Sequence, residues 1–113
     1  MAIKPLAWVG NSLNCIRGFP LEARRKAGHQ LNRVQHGHDP EDWKPIPTVG
    51  LSVREIRIHE HGEYRVLYLA KFADAVYVLH AFSKKTRKTA KSDLDLASSR
   101  FRAVIEERRK QQR

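Results

Sequence analysis

Three apolar, strand-like runs, at residues 53–59, 64–69 and 75–82, follow one another with only a few residues between them. A parallel crossover needs a dozen residues or more, so connections this short leave an antiparallel meander as the economical topology. The first run alternates. Period two places Arg54, Ile56 and Ile58 on one face and Val53, Glu55, Arg57 and His59 on the other. His61-Gly62 supplies a turn, and a second turn around Ala73-Asp74 separates the later runs, which are apolar on both faces as central strands are.

The flanking segments read as helices and one further strand. Leu6, Trp8 and Val9 form a short apolar segment at residues 5–9 that Gly10-Asn11 stops, which predicts a strand. Asn11 or Ser12 is placed to cap a brief helix ending near Gly18. Pro20 suits the first position of the next helix, where its missing N–H has no intrahelical partner. In that helix Ala23, Ala27, Leu31 and Val34 make one apolar stripe while Arg24, Arg25, Lys26 and Arg33 fall mainly elsewhere, and it is expected to reach about His36 and stop at Gly37. Residues 37–50 hold Asp39-Pro40, Pro45 and Pro47, which exclude helix interior and central strand; Trp43 is expected to pin this loop to the body of the domain. After the meander, Ser92 and Asp95 stand in the relation of a capping box, and Leu94, Ala97, Phe101 and Val104, with Ile105 and Arg108 alongside, predict an amphipathic helix. The predicted order is β-α-α-β-β-β-α, an α+β domain over residues 1–105, followed by a basic tail, 106–113, expected to fray.

At 113 residues there is material for one core. Its 22 Lys and Arg against 12 Asp and Glu give a formal charge of +10, and residues 83–113 alone carry 11 basic and 4 acidic groups. A positive field concentrated at one end suits a nucleic acid or an acidic partner. Cys15 is the single cysteine, which excludes an internal disulfide and a zinc site built on thiolates. No apolar run approaches the ~20 residues that span a bilayer and no signal-type segment opens the chain, so a cytoplasmic protein without membrane attachment is expected.

The charge is sharpest where the last strand ends. In His80-Ala-Phe-Ser-Lys-Lys-Thr-Arg-Lys the strand releases Lys84, Lys85, Arg87 and Lys88, and with Lys91 five cations follow without one acid. A bound phosphate backbone relieves such a concentration. Cutting RNA without a metal needs a base for the 2′-hydroxyl proton, cations for the charge growing on the phosphorane, and an acid for the leaving 5′ oxygen. Arg65 lies mid-meander on the face of Leu67 and Leu69, where it serves either such a site or an ion pair with Glu55 or Glu63. Arg54 and Arg57 point to opposite faces, so at most one of them joins a site on the sheet. His80 has acid–base capacity near neutral pH, though a hydrogen-bonded core histidine is the commoner role. His29, His36 and His38 lack a carboxylate or thiolate constellation at ligand spacing. No phosphate-cradling glycine loop, nucleophile elbow or paired carboxylates occur, and no cofactor or metal is expected.

Val53-Arg-Glu-Ile-Arg-Ile, Tyr64-Arg-Val-Leu-Tyr, Val78-Leu-His-Ala-Phe-Ser-Lys-Lys-Thr-Arg-Lys-Thr and Asp39-Pro-Glu-Asp-Trp-Lys-Pro-Ile-Pro-Thr-Val-Gly, taken together, resemble phage-derived toxins of the RelE/HigB type. These belong to the RelE/ParE superfamily of bacterial type II toxin–antitoxin systems, and the likeness covers roughly residues 19–101. It implies helices packed on a small, mainly antiparallel sheet with the N-terminal strand at its edge. It also implies cleavage of mRNA in the ribosomal 30S A site and neutralisation by an antitoxin, in this subgroup often a helix-turn-helix protein. Carried over by position, Arg65 is a candidate for phosphate and transition-state stabilisation, and Lys84 or Lys85 for acid or charge stabiliser. Arg57 takes the basic position of the preceding strand. Arg54, Thr86, Arg87 and Lys88 are candidates for holding the RNA. The pattern departs from the family's lysine pair, since Glu55, a possible acid or base, occupies the second position, and Ala90 stands where Pro is expected. Two other functions fit the same residues: a gyrase inhibitor of the ParE kind acting through its C-terminal region, and a basic nucleic-acid-binding module without toxicity.

Overall fold

The structure, a computed structural model, describes residues 2–112; Met1 and Arg113, the last residue of the expected tail, lie outside them. Its elements are β1 (Leu6–Trp8), α1 (Ser12–Arg17), α2 (Leu21–Gln35), β2 (Trp43–Pro45), β3 (Val53–His59), β4 (Glu63–Leu69), β5 (Val76–Lys84) and α3 (Lys91–Gln111). The strands form one mixed sheet in the order β1-β5-β4-β3-β2, with β1 parallel to β5 and the other pairs antiparallel. This is the α+β arrangement that the RelE-type resemblance implies, with the N-terminal strand at the edge.

Two cores form because the sheet is apolar on both faces. On one face the α2 stripe of Ala23, Ala27, Leu31 and Val34, with Ile16 of α1, packs against Ile56, Ile58, Val66, Val76, Val78 and Ala81. On the other, Ala97 and Val104 of α3 pack against Val53, Leu67, Leu69 and Leu79, with Leu94, Phe101 and Ile105 at the margin. Period 3.6 in the helices and period two in the strands thus place the same residues inside that the sequence pattern singled out.

Four local expectations are corrected. The proline-rich loop contains an additional edge strand, β2, in which Pro45 lies opposite Arg54. Proline fits there because one side of an edge strand requires no ladder donor. Trp43 is half-buried beneath the Arg54 guanidinium, 4.1 Å from the ring centroid. Asn11 takes the cap position of α1 but makes no side-chain capping hydrogen bond, its Oδ1 accepting from Arg100 instead, while Ser12 is buried and donates its Oγ hydrogen to Val78 O at 3.0 Å, tying α1 to β5. Helix α3 starts one residue before Ser92, with Ala90 at its cap position, so the capping box is not made and Asp95 pairs with Lys91 instead. The helix also continues through residues 106–111, where the charged composition suggests fraying. Arg108 explains part of this, since its Nη1 hydrogen-bonds both carboxylate oxygens of Asp74 and the Tyr77 hydroxyl while its guanidinium stacks 3.8 Å over Phe72.

Gly50 marks where α3 seats on the loop before β3. A β-carbon there would stand 2.5 Å from the edge of the Phe101 ring. Gly50→Ala is therefore expected to lower stability by about 1–3 kcal/mol through overpacking, read as a shifted urea midpoint; an unchanged midpoint would contradict this seating of the helix.

Candidate functional site

A β-bulge decides which side chains meet. In the pairing of β4 with β5, Tyr68 opposes Val78 but Leu67 opposes His80, leaving Leu79 as the extra residue. Val76 and Val78 face the α1/α2 side, and strict alternation would send His80, Phe82 and Lys84 the same way. The extra residue reverses the parity: Ala81 takes the α1/α2 side and Phe82 joins the α3 side. Three cross-strand rows then stand on that second face, Glu55–Leu67–His80, Arg57–Arg65–Phe82 and His59–Glu63–Lys84.

The centre of this face is a chain of charges. Arg65, only 3% exposed, donates from Nη2 to Glu63 Oε1 at 3.0 Å and from Nη1 to Tyr64 O at 3.0 Å. Its Nε lies 3.4 Å from Glu55 Oε1, and the Nε of Arg57 approaches the same oxygen at 3.8 Å. Glu55 is 2% exposed, so one buried carboxylate serves as counter-ion to two guanidinium groups. Both alternatives for the Arg65 ion pair, Glu55 and Glu63, are realised together. Neither Nε has a hydrogen-bond partner. Arg57 is half-buried and keeps its outer edge in solvent.

His59 extends the chain to the edge strand. Its Nδ1 and Nε2 lie 2.7 Å from carboxylate oxygens of Glu63 and Asp42 respectively, so both nitrogens act as donors and the imidazolium form is favoured. The hydrogen bond to Glu63, then that to Asp42, raises its pKa above the ordinary 6.5, against an opposing desolvation effect. A raised folded-state pKa means that this stabilisation is fully present below about pH 6.5 and is lost as pH rises through the raised value. Urea titrations at pH 6 and pH 8.5 should therefore show a drop in stability across neutrality that His59→Gln makes smaller; an equal drop in both proteins would exclude the bridge. The effect is small because His59 is exposed.

His80 lies inside. It is 6% exposed, stacks on Phe82 with ring centroids 5.1 Å apart, and donates from Nε2 to Asp93 Oδ1 at 2.8 Å. Asp93, in the first turn of α3, carries no sequence motif that would have singled it out. The bond joins the two ends of the segment 81–92 and so fixes the basic loop between them. Lys84 is half-buried, whereas Lys85, Thr86, Arg87 and Lys88 are exposed beyond it. The Thr86 hydroxyl donates to Lys88 O at 2.8 Å and shapes the loop.

Of the candidate residues, the sheet therefore collects Glu55, Arg57, Arg65, His80 and Lys84 on one face, with Lys85, Thr86, Arg87 and Lys88 at its rim. Arg54 is not among them. It points to the α1/α2 side, where its Nη1 donates to Asp39 Oδ1 at 2.8 Å. Among the described residues no group of three or more His, Cys, Asp or Glu side chains is arranged to hold a metal ion, and no helix is long and apolar enough to cross a membrane.

In comparison with known proteins, the family model described as Phage derived protein Gp49-like (DUF891) matches residues 14–102. No curated protein matches the chain.

Proposed function

Since this chain belongs to the Gp49-like family of phage-derived proteins, which is associated with the toxins of toxin–antitoxin systems, we propose that it is a toxin that cuts mRNA on the ribosome. Family membership implies an antitoxin as partner, and we assign that role to a helix-turn-helix protein. The observation that carries the reading is the bulge at Leu79, which turns Lys84 onto the face of Arg57 and Arg65 and launches an acid-free basic loop from its rim.

The roles follow from position. Arg57, with its outer edge in solvent, and Arg65 behind it offer positive charge where the phosphorane gathers negative charge. Lys84 and Lys85 serve as proton donor to the leaving 5′ oxygen or as further charge stabilisers. Arg87 and Lys88 hold the phosphate backbone, with Thr86 shaping the loop that presents them. Glu55 is buried between two guanidinium groups and acts as their counter-ion rather than as a base. His80, closed in by Phe82 and Asp93, is a positioning residue for the loop.

Primer extension on cellular mRNA after induction tests the reading. Breaks inside translated codons that vanish when translation initiation is blocked are expected. Intact mRNA with arrested DNA supercoiling would overturn it in favour of a gyrase inhibitor, and salt-dependent RNA binding without growth arrest would leave a plain binding module.

A further inference from the structure

A second cationic pocket lies on the opposite, α1/α2 side of the sheet. It is a cavity of about 320 Å³ between the end of α2 and the adjoining ends of β3 and β4, with Lys4, Ser52, Arg54, Tyr68 and Lys71 in its wall. Three cations stand there against one carboxylate, Asp39, which already accepts from Arg54. Lys4 donates to Ala70 O at 2.6 Å, and the exposed Lys71 lines the cavity with its Nζ 5.1 Å from the Phe72 ring centroid. Tyr68 is the independent sign of a ligand. It is 1% exposed and its hydroxyl lies beside the Arg54 guanidinium, which can only donate to it, so the hydroxyl's own proton has no acceptor. A buried donor without an acceptor is costly and uncommon. Burial raises the Tyr68 pKa above 10, so the hydroxyl is protonated at neutral pH and available as a donor.

Donors and cations around a cavity with one committed acceptor complement an oxyanion, and several of them together suit the multiple oxygens of a phosphate. The cavity exceeds what a phosphate fills, leaving room for an attached nucleoside. We propose that this pocket binds a phosphate group, with the Tyr68 hydroxyl and the Arg54 and Lys71 cations as its ligands, at a site separate from the face of Arg57, Arg65 and Lys84. The phosphate comes either from a free mononucleotide or from the backbone of an RNA strand that passes behind the sheet.

Titrations of the full chain followed by NMR, with inorganic phosphate and with adenosine 5′-monophosphate as probes, test the site. Shifts at Ser52, Tyr68 and Lys71 are expected, with affinity reduced about tenfold in Lys71→Gln and in Tyr68→Phe but unchanged in Lys84→Ala/Lys85→Ala. Tyr68→Phe keeps the packing and removes a buried hydroxyl whose proton has no acceptor, so without ligand it should melt no lower than the parent. A short non-cleavable RNA that displaces the mononucleotide assigns the site to backbone phosphate; failure to displace it assigns the site to free nucleotide. No binding at millimolar phosphate, or binding lost with Lys84 and Lys85 rather than with Lys71 and Tyr68, would overturn the proposal. Neither result bears on mRNA cleavage by the opposite face.

Discussion

Arg65→Ala is expected to cost about 3–5 kcal/mol of folding stability, because it strips the main partner from a carboxylate that has nowhere to turn for water. Glu55 is 2% exposed, and its remaining cationic neighbour, Arg57, stands 3.8 Å away with part of its surface in solvent. Urea denaturation at pH 7 measures the loss. The double substitution Glu55→Leu/Arg65→Met should recover most of it, since a buried ion pair replaced by apolar groups of similar size is often neutral in stability while a broken pair is not. A loss under about 1 kcal/mol for Arg65→Ala, or a double variant no better than the two single ones combined, would refute this account of the pair. The buried pair also constrains any test of catalysis. Loss of cleavage in Arg65→Ala is uninterpretable without the folded fraction, so the buried-pair double variant is the proper companion: folded and inactive if Arg65 supplies transition-state charge.

Lys84→Ala/Lys85→Ala is the change expected to affect activity most with least effect on the fold. Lys85 is exposed, Lys84 is half-buried, and neither makes an ion pair among the described residues. Surface substitutions of this kind usually shift stability by no more than about 0.5 kcal/mol. Removing groups that stabilise developing charge in a phosphoryl transition state typically lowers the rate by about 10²–10³ for each one. Translation-coupled mRNA cleavage should therefore fall by at least about a hundredfold, and induced growth arrest should be relieved, while the melting curve stays where it was. Cleavage at the parental rate would remove both lysines from the chemistry. A loss that salt reproduces in the parent would instead place them with Arg87 and Lys88 in holding RNA.

Much of the fold was legible because hydrophobic period reports element type directly. Ala23, Ala27, Leu31 and Val34, and later Ala97 and Val104, recur at helical spacing and are each buried. The three-residue strand β2 was not legible: Pro45 argues against a strand, and only the neighbouring β3 makes an edge position tolerable. The capping box does not form because Ser, Asp and a following apolar run describe only a possible cap, whereas Asp93 is drawn to His80 and Asp95 to Lys91. Asp42 and Asp93 carry no signal in the sequence, for a common reason. A carboxylate acquires its role from the partner brought to it, and both partners here, His59 and His80, come from other elements.

The site divides along the same line. By itself the sequence determined that Arg57 would share a face with Glu55 and that only one of Arg54 and Arg57 could join Arg65 on the sheet, because β3 alternates without interruption. It also determined that a run of cations without an acid would leave the last strand. Whether those cations would join the arginines or face away was decided only in the tertiary structure. Residues 76–82 are apolar on both faces, so alternation carries no record of the one-residue bulge at Leu79, and that single extra residue exchanges the two faces for everything after it.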